Sequence, residues 1–240
     1  HMASSKEEAK EEEQQQPPHE QVKVPVHNAR LLHDKKSLEV QGFTSVHHPL
    51  PTGMDLSHDE HLPAYHAAVR DLLLMITGAT HVEIFDDTRR SSSATARSTR
   101  PLREPSGHVH NDYTERSGHW RLQAYLHDDD KKKKKNLLDQ WNLLDRPFWI
   151  VNVWRSSNGQ AIFNWPLVLA DQTTVTADDV VSVERRTATR VGEIQMARYR
   201  HSQRWYWYPD MTADEALVFQ TFDSTAPCRT IHSSFDLYHD

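Results

Sequence analysis

Between residues 59 and 77 apolar side chains recur at steps of three and four. Leu62, Tyr65, Val69, Leu72 and Ile76 share one face, which predicts an amphipathic helix. Pro63 is tolerable only in its first turn, and Gly78 supplies a left-handed stop. From Thr80 to Asp86 the period shortens to two, with Val82 and Ile84 alternating as on a half-buried strand. The stretch from Asp87 to Arg100 is rich in Ser, Thr and Arg and reads as a loop. Ser117 is the expected N-cap of a short helix with Trp120 and Ala124 on one side, and Leu137 to Leu144 add another helical turn or two. Strand character then dominates, over 148–154, 161–165, 167–169, 193–200, 204–208 and 216–222. Helices early and strands late, with no βαβ rhythm, predict an α+β, mainly β fold: a double-sheet core with flanking helices.

The 240 residues suffice for one domain with a sizeable core. Residues 1–21 form a polar tail, expected to be disordered, whose His1-Met2 reads as an expression scar; residues 22–240 form the single domain. Lys and Arg number 28 against 34 Asp and Glu, a net charge of −6, so no basic footprint for nucleic acid stands out. Asp128 to Lys135 is a solvated loop tip whose acidic and basic halves cancel. The longest apolar runs, such as Leu72 to Ile76, are far short of a membrane span. A lone cysteine, Cys228, excludes an internal disulfide framework and fits a reducing, cytoplasmic compartment.

His110-Asn111-Asp112 sets two metal-capable side chains two residues apart. On a strand or its end, positions i and i+2 face the same way, so an imidazole and a carboxylate can converge on one ion. A second histidine from a distant strand would complete a two-histidine, one-carboxylate facial triad, which leaves one side of the ion open. The spacing alone is cheap, because the chain has 17 histidines and His127-Asp128-Asp129 repeats it beside the lysine run. His108 lies on the same face if the segment is extended, as a neighbour and not a ligand. For the third ligand the candidates are His201, in a turn, and His232, which follows an acidic turn, an apolar strand and a short excursion. That order suits a strand returning beside the first in a double-stranded β-helix, and it favours His232.

Nine short segments, in order from about residue 25 to 236, resemble the AsaB-type hydroxylase/desaturase family, which also includes the CmcJ subunit of cephalosporin methoxylation. They include Gly42 to Leu50, Thr77 to Asp86 with Arg89-Arg90, Val109 to Thr114, Asn152 to Arg155, Trp165 to Asp171, Arg204 to Met211, Asp214 to Phe219, Phe222 to Ser224 and His232 to Phe235. The resemblance implies a double-stranded β-helix (jelly-roll, cupin-like) core, iron(II) as cofactor, 2-oxoglutarate as cosubstrate, and dioxygen-driven hydroxylation or desaturation of an apolar natural product. It departs at Ser156, where the family has proline. The family also continues past its last motif into a strand bearing arginines, one of which pairs with the distal carboxylate of 2-oxoglutarate. On this reading the final strand is absent; Arg155 and Arg229 are the candidate substitutes, since a guanidinium fork suits a carboxylate. A catalytically weak or inactive subunit supporting a partner enzyme is the alternative, and a homodimer or heterodimer would cover the strand edge left open. Trp154, Trp205, Trp207 and Phe235 are candidates for the substrate pocket, set against the simpler reading that such aromatics are core.

Overall fold

The computed structural model describes residues 20–32, 37–126, 145–186 and 191–237. His127 to Asp129, the lysine run, the expected helical turn over Leu137–Leu144 and most of the N-terminal tail lie outside them.

Among the described residues ten strands form, in chain order β1 (Val26–Asn28), β2 (Phe43–His47), β3 (His110–Asn111), β4 (Trp149–Trp154), β5 (Leu167–Ala170), β6 (Val180–Arg186), β7 (Val191–Ala197), β8 (Trp205–Trp207), β9 (Glu215–Asp223) and β10 (His232–Ser234). They form a seven-stranded sheet in the order β1-β8-β5-β10-β3-β7-β6 and a three-stranded sheet in the order β2-β9-β4. Every pairing is antiparallel except β1 with β8. Apart from the consecutive pair β6 and β7, neighbours in the sheets are distant in sequence, as a jelly-roll core requires.

Strand alternation sorts the apolar residues into layers. Leu167 and Leu169 of the large sheet meet Phe43, Leu217 and Phe219 of the small one, forming the inter-sheet core. The other faces of the same strands carry separate clusters. Ala216 and Val218 pack on Leu72, Leu73 and Val69, while Val168 and Ala170 pack on Trp205, Val175 and Ile231. Strand β9 is therefore buried on both faces, which is why its sequence reads as a nearly unbroken apolar run.

Helix α1 (Leu62–Thr77) matches the predicted periodicity, with Pro63 in its first turn and Gly78 closing it at φ 67°. Two expected strands are absent. In 80–86, Val82 and Ile84 do pack beneath α1, but the carbonyl of Val82 accepts from Arg70 Nε (3.2 Å) and no ladder forms. In 161–165, Trp165 turns to φ 52° immediately before Pro166 and breaks the extended run. The loop expected over 87–100 contains a short helix, α2 (Ala94–Thr99), capped by Ser93. The helix expected after Ser117 begins earlier, as α3 (Glu115–Leu126), and Ser117 lies in its first turn. Its hydroxyl accepts from Thr114 N–H (2.9 Å) while the Thr114 hydroxyl accepts from Ser117 N–H (3.0 Å), so Thr114 is the cap. Strands β2 and β6 were not foreseen.

Candidate metal centre

His110 and His232 stand directly opposite each other on the paired strands β3 and β10, and His232 is also opposite Leu169 of β5. Cross-strand partners share a sheet face, so both imidazoles point where Leu169 points, into the space between the sheets. The ring centroids of His110 and His232 are 4.6 Å apart, and the Phe219 ring, from the opposite sheet, lies 4.7 Å from His232. Asp112 follows β3 by one residue. One ligand atom from each of His110, Asp112 and His232 falls within 4.8 Å of the others.

The intervening residue explains the aim of the segment. Asn111 is fully buried on the opposite face, where its amide donates to Tyr113 O (3.0 Å), Gln195 Oε1 (3.1 Å) and Cys228 O (3.4 Å). Pinning Asn111 outward turns its two neighbours inward.

Backbone carbonyls then set both tautomers. His110 Nδ1 lies 2.8 Å from His108 O, and His232 Nδ1 lies 3.2 Å from Thr230 O. A carbonyl only accepts, so each Nδ1 carries a proton and each Nε2 is turned into the site. His110 Nε2 is 3.4 Å from Asp112 Oδ1, while Asp112 Oδ2 accepts from Asn152 Nδ2 at 2.7 Å. Asn152 belongs to β4, so this bond crosses from one sheet to the other.

Protonation follows from the same contacts. Burial, reinforced by the charge of His110, pushes His232 down to about 4 and keeps it neutral at physiological pH. Burial also opposes charge on His110, but the hydrogen bond and attraction of Asp112 outweigh it, and the net direction is upward. Burial alone would raise Asp112; the His110 hydrogen bond, the charges of His232 and His110, and the Asn152 amide together hold it well below the usual carboxylate range. The donor set is one anionic carboxylate, the neutral His232 and His110, whose Nε2 would exchange the proton it shares with Asp112 for a cation; this fits a borderline divalent ion such as iron(II).

The triad opens into a cavity of about 1840 Å³ whose walls include Phe85, Phe148, Trp149, Trp154 and Phe163. Of the residues nominated for the substrate pocket, Trp154 lines this cavity. Trp205 is packed in the outer cluster of the large sheet, and Trp207 stacks edge-on against Phe235 at 5.5 Å. Arg155 lines the cavity, yet one terminal nitrogen donates to His48 O and Ala213 O and the other lies 3.1 Å from His48 Nδ1. Arg229 lines a separate cavity of about 430 Å³ with Cys228. His201 sits in an exposed turn against Tyr199, away from the triad. Asn152 and Asn111 were not singled out from the sequence. Period-two counting along 149–154 would have set Asn152 on the face of Trp154, but nothing local marked its partner across the sheets.

No helix among the described residues is long and apolar enough to cross a membrane. A relative from Aspergillus novofumigatus, the Fe(II)/2-oxoglutarate-dependent dioxygenase nvfI, is 27% identical over 226 residues, covering 89% of this chain and 75% of its own. The hydroxylase/desaturase CTB9 of Cercospora beticola is 24% identical over 195 residues, covering 71% of this chain and 56% of its own. Among solved structures, the iron and alpha-ketoglutarate-dependent endoperoxidase NvfI superposes with a TM-score of 0.73 at 24% identity, over 92% of this chain and 83% of that one. The same enzyme in a different conformation gives 0.74 at 25% identity, over 90% and 76%. These likenesses bear out the jelly-roll fold and the hydroxylase/desaturase resemblance read from the sequence. The model of the oxidoreductase/YMDC permease-like domain matches residues 1–239, and the chain belongs to that family.

Proposed function

We propose that this protein is an iron(II)- and 2-oxoglutarate-dependent oxygenase that hydroxylates or desaturates an apolar natural product, with His110, Asp112 and His232 holding the metal. The observation that carries the reading is the convergence of these three side chains, with both Nδ1 atoms held by backbone carbonyls and both Nε2 atoms turned into the site. When bound, the iron, its 2-oxo acid and dioxygen supply the oxidising power that breaks an unactivated C–H bond.

The chain's own residues supply the rest. His108 O and Thr230 O fix the imidazole tautomers, and Asn152 holds Asp112 Oδ2 so that Oδ1 faces His110. Phe219 closes the inner wall behind His232 and excludes water there. The cavity, about 1840 Å³, exceeds the roughly 300–1,000 Å³ of ordinary ligand pockets, so it admits a bulky substrate beside a small cosubstrate. Aromatic walls favour an apolar body, and positioning it is the protein's main contribution to rate. A merely supporting subunit would not need these three ligands brought together, so the oxygenase reading is retained. Within it, the protein works in a reducing cytoplasm that keeps Cys228 a thiol. Any pairing with itself or a second chain is measured by sedimentation.

The test is an anaerobic titration of iron(II) and then 2-oxoglutarate, following the weak visible charge-transfer band of the chelate. The band is expected in the wild type and lost in His110→Ala and His232→Ala, with circular dichroism unchanged. A folded wild-type protein that gives no band overturns the reading.

A further inference from the structure

The segment after α1 that joins no sheet still alternates. Val82 and Ile84 pack into the cluster beneath α1, and the residues between and beyond them turn the other way along the triad cavity. His81 and Glu83 meet there, with Nε2 and Oε1 3.1 Å apart, and Tyr125 of α3 donates to Glu83 Oε2 at 2.8 Å. Phe85 lies under the Arg121 guanidinium, 4.4 Å from its ring centre. Asp87 reaches back to α1, its Oδ2 3.1 Å from His66 Nε2.

Helical period aims the other members of this group. Along α1, Leu62, His66, Val69 and Leu73 recur at steps of four and three and line the cavity; along α3, Arg121 and Tyr125 do so one turn apart. One wall of the cavity is therefore polar, built around two imidazole–carboxylate pairs. Its end approaches the triad, because Arg90, just past Asp87 in the chain, is close enough for the Asp112 charge to act on it.

A carboxylate only accepts, so in the neutral ring the nitrogen beside it carries the proton and the other keeps its lone pair. Nδ1 of His66 and Nδ1 of His81 have no hydrogen-bond partner among the described residues. Each is an acceptor on a cavity wall, and a donor is what satisfies it. Two carboxylates and one guanidinium leave this group no surplus of positive charge for an anion. A neutral O–H meets the imidazole without stripping water from an ion.

We propose that His66 and His81 form a subsite for a neutral hydroxyl group, an alcohol or phenol carried by the ligand of the triad cavity. That this ligand is the molecule oxidised at the triad rests on the oxygenase reading; that the wall binds a hydroxyl does not.

Three probes of matched shape test it: 4-butylphenol, its methyl ether 4-butylanisole, which accepts but does not donate, and the cation 4-butylbenzylammonium. Each is titrated calorimetrically into the full chain at about pH 8, above the ordinary imidazole range, first metal-free and then loaded with redox-inert manganese(II). The phenol is expected to bind about fivefold tighter than the ether in both states. Paired substitutions remove each imidazole together with the carboxylate that would accept in its place: His66→Leu with Asp87→Asn, and His81→Leu with Glu83→Gln. With circular dichroism unchanged, at least one pair should erase the phenol preference and leave the ether's dissociation constant nearly as it was. Where the first pair does so, His66→Asn alone, whose amide oxygen takes the place of Nδ1, should keep part of the preference. No preference in the wild type, one that survives both pairs, or one that needs the metal overturns the subsite. Tighter binding of the ammonium probe than of the phenol also overturns it, since the carboxylates would then be the binding groups. Manganese binding is followed separately by electron paramagnetic resonance; its absence would count against the metal centre and leave the metal-free comparison standing.

Discussion

Strand β9 and the strands that carry the histidines are held by different forces. Over its nine residues, Glu215–Asp223, β9 pairs with β2 on one side and β4 on the other, and its alternate residues serve two separate apolar clusters. Strand β3 has two residues and β10 has three, and a single residue pair joins them. Beside the ladder to β5 and the Ile231 cluster, what aims this region is polar: the buried amide of Asn111, and Ser106 O accepting from Ser234 N–H and Ser234 Oγ, both at 2.8 Å. Apolar burial gives β9 strength with little dependence on shape, whereas hydrogen bonds give the site strands a defined aim at modest net stability. Stability and metal binding should therefore be separable by mutation.

The largest expected effect is on the site side. Asp112→Asn keeps the shape of the side chain and a partner for Asn152, but removes the anionic donor between two imidazoles. Iron(II) binding is expected to vanish in an equilibrium titration while the urea midpoint shifts little. Wild-type affinity in this variant would remove Asp112 from the metal centre. The opposite swap is Leu217→Ala, at a fully buried position in the inter-sheet core. Leu→Ala changes of this kind cost about 2–5 kcal/mol, read from urea unfolding. Folded Leu217→Ala protein should still bind iron(II) with the wild-type dissociation constant. If that constant moves as much as the stability does, the two regions are not independent.

Asn152 sharpens the comparison because it belongs to both sides, standing on the scaffold sheet and bonding to Asp112 at 2.7 Å. Loss of such a supporting bond typically weakens metal affinity by about 10–100-fold. Asn152→Ala should show this in competition with a chelator of known affinity. An unchanged dissociation constant would mean that Asp112 needs no help from the opposite sheet.

The same contrast decided what the sequence disclosed. The helix beneath β9 was legible because Val69 and Leu72 repeat at helical spacing, and β9 and β4 because their apolar residues run together. His110 and Asp112 were legible through their chemistry at a two-residue spacing, and His232 through its place after β9. The expected strand at 80–86 failed because alternation of Val82 and Ile84 reports burial and not a ladder partner. Asn152 was hidden for a related reason. Its partner Asp112 lies 40 residues away on another sheet, so no local pattern joins them.

The smallest effect should come from Thr114, where the ligand segment runs into α3. Its side chain is buried, caps Ser117 N–H and donates to Glu193 Oε2 at 2.9 Å. Replacing a capping threonine by alanine costs about 1 kcal/mol. Here the substitution would also leave a partly buried carboxylate oxygen without that donor, although Arg116 still pairs with Glu193. Thr114→Ala should therefore lower the urea midpoint modestly, and Thr114→Ser should recover most of the loss. If polar contacts set the aim of the site strands, Thr114→Ala should also weaken iron(II) binding a few-fold with no ligand touched, and the serine variant should restore it. A stability loss with unchanged affinity would confine the aiming of the triad to Asn111, His108 O, Thr230 O and Asn152. Affinity lost without recovery in the serine variant would point to the buried threonine methyl group, and so to packing and not hydrogen bonding as what aims this end of the site.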